Sequence, residues 1–134
     1  MRNRLKNFNN LKPYLGKFSL VGISGIFVNQ GCLSLFVSVF GFSLSIAGIL
    51  AIELSILSNF LLNNFWTWKD NKTGSFLQRF VKYHAVTLLS GGINYLILLT
   101  LTSFGLHYFI SNLIGMGFAA LVNFILNHYW TFQK

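Results

Sequence analysis

The sequence predicts an all-α polytopic membrane protein. Four transmembrane helices form two helical hairpins that repeat in parallel, with both termini on the cytoplasmic side. Three observations point there. Charged residues make up only 9% of the 134 residues, against 54% hydrophobic, whereas soluble domains usually carry about 25% charged residues. Four apolar segments are long enough to cross a bilayer. Finally, NFLLNNFWTWK at 59–69 returns as NFILNHYWTFQ at 123–133, identical at six of eleven positions.

The apolar segments run over 18–40, 44–66, 81–104 and 108–130. As helices each spans roughly 34–36 Å at about 1.5 Å per residue, and the hydrocarbon core needs only about 30 Å. Residues 1–17 form a basic tail without the short apolar region and small-residue cleavage site of a signal peptide. Leu5, Phe8, Leu11, Leu15 and Phe18 recur at helical spacing with Lys and Arg between them. Such a tail either lies in the headgroup layer or is a mobile basic arm. Pro13 is expected to interrupt a helix there. Phe76, Phe80 and Tyr83 repeat the interfacial pattern before the third span. The organisation is thus one four-helix membrane domain over 1–134, with tail 1–17, first hairpin 18–66, cytoplasmic loop 67–80 and second hairpin 81–132.

Charge fixes the expected orientation. Arg2, Arg4, Lys6, Lys12 and Lys17 precede the first span, Lys69, Lys72, Arg79 and Lys82 lie between the second and third, and Lys134 ends the chain. The connections around Gly41–Ser43 and Gly105–His107 carry no Lys or Arg. All ten basic residues fall on one side, which by the positive-inside rule is cytoplasmic. The net charge of +8 is then explained without nucleic acid as a partner. The Asn71-Lys72-Thr73 sequon falls on the same side and is discounted as a glycosylation site.

The repeat extends beyond its quoted ends. Lys17-Phe18 aligns with Lys82-Tyr83, Asn29 with Asn94, Gly41 with Gly105 and Asn59 with Asn123, with one residue of slippage. Each copy crosses twice and returns, so the two share one orientation, as in parallel repeats related by an axis along the membrane normal.

At 100° per residue, Gly48, Ser55, Asn59, Asn63 and Trp66 share a narrow sector of the second helix, and Asn112, Ala119, Asn123, Asn127 and Trp130 share one on the fourth. Gly22, Gly25 and Asn29, and Thr87, Ser90 and Asn94, do the same on the first and third. Small residues and amides at such seams either pack helices together or line a site for a polar headgroup. For Asn59, Asn63, Asn123 and Asn127 both readings stand, because they lie near the basic residues. Trp66, Trp68 and Trp130 suit an aromatic belt, an anchoring role that fits Trp68 best. Trp66 and Trp130 equally suit a platform for a sugar ring.

Glu53 is the one acid inside a span, about 120° round from Asn59, with Gly117 as its repeat counterpart. It is either a proton or cation site or a protonated, hydrogen-bonded acid. Cys32 lies within a span and is read as a buried thiol. His84, His107 and His128 have no metal-ligand spacing, and no metal or cofactor is expected. Nucleophile elbow, phosphate loop and paired carboxylates are all absent from the sequence, so it does not read as an enzyme.

Four motifs in order give the chain a relative. They are Lys17-Phe18-x-x-Val21-Gly22, Asn59-Phe60-x-x-Asn63-x-x-Trp66-Thr67, Arg79-Phe80-x-x-Tyr83 and Asn123-Phe124-x-x-Asn127-x-x-Trp130-Thr131-Phe132. Together they span 17–132, and in them the chain resembles the GtrA-like family of small four-span membrane proteins. The resemblance implies a role in cell-surface polysaccharide synthesis. Such a protein would move a polyprenyl-phosphate-linked sugar from the cytoplasmic to the outer leaflet, where a membrane glycosyltransferase uses it. Lys17, Lys69, Arg79 and Lys82 would meet the phosphate, the two Asn–Trp motifs the sugar, and membrane lipid the prenyl tail. A bundle this small suggests a groove or a homodimer interface. Glu53 falls outside the family pattern. Two alternatives remain at this level: a non-transporting adaptor for a glycosyltransferase, and a small multidrug-type proton antiporter working through Glu53.

Overall fold

The computed structural model describes residues Arg2–Gln133, with side chains from Asn10 onward. Arg2, Arg4, Lys6, Leu5 and Phe8 of the tail therefore have no described side chains, and Lys134 lies outside the described residues. Helix α1 covers Arg2–Ser38, α2 Leu44–Leu62, α3 Phe76–Ser103 and α4 Tyr108–Leu126. Two π-helical turns complete the set: π1, Asn63–Thr67, continues α2, and π2, Asn127–Thr131, continues α4. All four helices are long and apolar enough to cross a membrane, and no strand occurs among the described residues.

The chain divides into two compact units, Met1–Asp70 and Asn71–Lys134. Each is a hairpin. In the first, α1 packs on α2 and π1; in the second, α3 packs on α4 and π2. Few residues are buried within the hairpins, 11–28% of the most apolar window of each span. Most apolar side chains, such as Phe27, Ile49, Leu96 and Phe118, point outward, as expected where lipid is the solvent.

Helix α1 runs through Pro13 without a break, contrary to the sequence expectation. Proline removes one backbone N–H bond and crowds the preceding turn. Here it sits near the basic end, where the freed carbonyl can be hydrated. Helix α3 starts at Phe76, ahead of the apolar segment at 81. Ser75 and Gln78 explain the early start through a capping box: the Gln78 N–H donates to Ser75 Oγ at 3.1 Å and the Ser75 N–H to Gln78 Oε1 at 3.0 Å.

The tips are tight. Gly41, at φ +68°, and Gly105, at φ +93°, take left-handed conformations that close α1 and α3. The Phe42 N–H donates to the Phe36 carbonyl at 3.0 Å and the Leu106 N–H to the Leu101 carbonyl at 3.1 Å.

In each hairpin one asparagine presses on one glycine of the facing helix. Asn59 of α2 fits against Gly25 of α1, where an added Cβ would stand 2.8 Å from Asn59 Cγ. Beside it Ser55 Oγ donates to the Gly25 carbonyl at 2.9 Å. In the second hairpin the donor helix is reversed: Asn94 of α3 presses on Gly115 of α4, and its Nδ2 donates to Asn112 Oδ1 at 3.4 Å.

Candidate functional site

The basic end of each hairpin is built on its π turn. In π1, Asn63 is buried and its Oδ1 accepts from Thr67 Oγ1 at 2.8 Å. Asn64 and Thr67 are buried with it. In π2, Asn127 and Thr131 occupy the same places and are fully buried. Asn127 Nδ2 donates to Asn123 Oδ1 at 2.7 Å, while Asn127 Oδ1 and Thr131 Oγ1 make no hydrogen bond. A π turn widens the helix by one residue, and such turns recur at functional sites.

The wider turn sorts the aromatic residues. In the first hairpin Trp68 follows π1 and is 0% exposed. It stacks on Tyr14 at 6.3 Å and meets Phe18 edge-on at 5.9 Å. In the second, Phe132 takes the place of Trp68 and Tyr83 that of Phe18, again edge-on, at 6.3 Å. Trp68 thus serves as the plug of its hairpin rather than as a belt anchor.

Trp66 and Trp130 have the opposite fate, standing 42% and 45% exposed. Each carries a lysine from the neighbouring helix. Lys17 Nζ lies 5.6 Å from the Trp66 ring centroid and Lys82 Nζ 5.5 Å from that of Trp130, both within cation–π range. One geometry therefore occurs twice, on residues that the repeat makes equivalent.

Two cavities adjoin these pairs. In the first hairpin a cavity of about 160 Å³ is lined by Pro13, Tyr14, Lys17, Thr67, Lys69 and Asp70. In the second an open depression of about 480 Å³ is lined by Leu77, Gln78, Val81 and Lys82. Lys17 and Lys82 border the two at the same repeat position.

The basic residues differ in what holds them. Arg79 is buried, and its Nη1 donates to the Gly74 carbonyl at 2.7 Å and the Thr73 carbonyl at 3.4 Å. Thr73 Oγ1 in turn donates to the Gln133 carbonyl at 2.8 Å. Arg79 thereby ties the loop before α3 to the end of the chain. Lys69 is exposed, and Lys17 and Lys82 are half-buried.

The amides expected from sequence thus lie inside each hairpin, with Asn59 and Asn123 half-buried and Asn63 and Asn127 buried. The indoles of Trp66 and Trp130 and the lysines lie outside them. Glu53 is exposed on α2 and lines neither cavity. No group of three or more potential metal ligands occurs among the described residues. Thr67, Trp68, Asp70 and Phe132 were not singled out from sequence as site residues. The signal available for the aromatics was the repeat itself, which follows Trp-Thr with an aromatic in both copies.

Comparison with known proteins agrees with this architecture. The family described as GtrA/DPMS, transmembrane domain, matches residues 17–132. The chain belongs to this family. It is also similar to a dolichol-phosphate mannosyltransferase of Pyrococcus furiosus, 44% identical over 115 residues, which cover 86% of this chain and 32% of that protein. The chain therefore spans about a third of the length of that relative. This GtrA/DPMS chain is a multi-pass membrane protein by its four apolar helices and its family.

Proposed function

We propose that this protein takes up a polyprenyl-phosphate-linked sugar at the basic ends of its hairpins and carries it from the cytoplasmic to the outer leaflet for glycosylation of a cell-surface polysaccharide. The observation that carries the reading is the lysine–tryptophan pair, present once in each hairpin at nearly equal distance. An ammonium at the membrane surface attracts a lipid phosphate, and a half-exposed indole offers an apolar face to a sugar ring. Family membership adds the substrate class, since the relative from Pyrococcus furiosus is named for a dolichol-phosphate sugar reaction. In this scheme Lys17, Lys82 and Lys69 contact the phosphate. Arg79 holds the loop beside the site, Asn63, Asn123 and Asn127 order the π turns that carry the indoles, and Asn59 packs α2 against α1. Both termini face the cytoplasm.

The test is transbilayer movement of a labelled polyprenyl-phosphate hexose in vesicles containing the purified protein. Movement above that of protein-free vesicles, reduced in a Lys17→Ala, Lys82→Ala variant that still inserts, supports the reading. A second reading has its own support: in the relative the matched region is joined to roughly twice its length of further chain, as expected of a membrane adaptor for a glycosyltransferase. Absence of movement, together with decoration that depends on the protein only when the transferase is present, selects the adaptor.

A further inference from the structure

The two sites differ in one chemical respect. The cavity of the first hairpin is lined by a carboxylate, Asp70, together with two lysines, Lys17 and Lys69. The depression of the second contains Lys82 and Gln78 beside the exposed apolar side chains of Leu77 and Val81, and no acid. Only two acids occur in the whole sequence, so the placement of one in a basic cavity calls for a chemical reason.

A site for phosphate alone is weakened by a carboxylate, because like charges a few ångströms apart repel. A carboxylate is useful where the ligand presents hydroxyl donors, since hydrogen bonds to a charged acceptor are shorter and roughly twice as strong as neutral ones. Lysine for phosphate, carboxylate for hydroxyls and an exposed indole for the ring face together match a sugar joined to a phosphodiester. They match a bare phosphate monoester poorly. The monoester carries about −1.5 to −2 charges near neutral pH and has no hydroxyl-bearing ring, so it meets Asp70 as a repulsion without compensation.

We infer that Asp70, which lines the cavity of the first hairpin with Lys17 and Lys69, makes this site selective for the sugar-bearing carrier over the bare polyprenyl phosphate. This rests on the proposed engagement of polyprenyl-phosphate sugars and adds a division of labour to it. The first hairpin reads the headgroup, and the second, acid-free and apolar, provides a phosphate contact that does not depend on the sugar. Selectivity of this kind keeps the spent carrier from competing for the site, because the carrier left after sugar transfer is a poor ligand there.

The test uses the full chain in lipid nanodiscs and two probes, a short-chain polyprenyl monophosphate and its hexosyl phosphodiester. Wild-type protein is expected to prefer the phosphodiester. Asp70→Asn, at an exposed position, is expected to melt like wild type and to lose that preference by about tenfold or more, the equivalent of one charge-assisted hydrogen bond. The monoester should bind it more tightly than it binds wild type, since a negative charge has gone. Asp70→Glu should keep part of the preference. If Asp70→Asn changes both affinities by the same factor, the carboxylate acts only through the general field and the inference is overturned. Binding of neither probe to wild type overturns the underlying reading instead, so the two failures are distinguishable.

Discussion

Trp66 and Trp68 are two residues apart and are expected to respond to truncation in opposite ways. Trp68 is wholly buried against Tyr14 and Phe18. Its replacement by alanine removes the largest side chain of the first hairpin's interior and leaves a cavity, a change that costs about 3–5 kcal/mol in well-packed sites. Trp66 is 42% exposed, and its described partner is the Lys17 ammonium, a contact of about 0.5–1 kcal/mol at exposed positions. Equilibrium unfolding in mixed micelles should therefore separate the variants by at least about 2 kcal/mol, with Trp68→Ala the less stable. Trp68→Phe should be milder, because the second hairpin already uses Phe132 at this position. Binding of a polyprenyl-phosphate hexose should rank the other way among folded protein, with Trp66→Ala weak and Trp68→Phe near wild type. Equal stability losses for Trp66→Ala and Trp68→Ala would refute the assignment of plug and platform, as would a Trp68→Ala protein that is fully stable yet unable to bind.

Two further outcomes are expected. Gly25→Ala should destabilise the first hairpin by about 1–3 kcal/mol through overpacking against Asn59. Gly22→Ala, where an added Cβ meets nothing within 4 Å, should be neutral or stabilising. Thermal unfolding of the two variants checks this, and the Gly25→Ala loss should shrink in an Asn59→Ala background. Cysteines placed at Ser43 and His107 should react with an impermeant reagent added outside intact cells and one at Lys72 should not; labelling at Lys72 would reverse the orientation.

The spans were legible because a bilayer demands length and hydropathy, which a single sequence displays. Helices α2 and α4 begin at Leu44 and Tyr108, where the apolar segments begin. The repeat was legible as sequence identity. What escaped lies where hydropathy carries no information. Extrapolating 100° per residue past Asn63 put Asn59, Asn63 and Trp66 on one face. The π turn begins at Asn63 and interrupts that count after it, so Asn63 stays buried while Trp66 is left outside. Trp68 and Trp66 are chemically identical, so composition could not tell plug from platform. Pro13 looked like a breaker because propensity ignores where the freed carbonyl lies. The Ser75–Gln78 box stood in plain view, but it marks a start that the apolar pattern alone places later.

The glycine-closed tips bear on how such a protein enters a membrane at all. In the proposed orientation the tip of each hairpin must pass through hydrocarbon during insertion. Neither tip, over 39–43 or 104–107, contains Lys, Arg, Asp or Glu. Each such residue would oppose passage by about 2.5–3.5 kcal/mol at the bilayer centre. Tip N–H groups, which would be costly if left bare in lipid, are already turned back onto the preceding helix at Phe42 and Leu106. A hairpin can thus cross as a prepaired unit, held by its own asparagine–glycine contact, before the rest of the chain has been made. Duplicating it duplicates a complete insertion step, and each copy carries its own basic residues at its start, Lys17 in the first and Lys82 in the second.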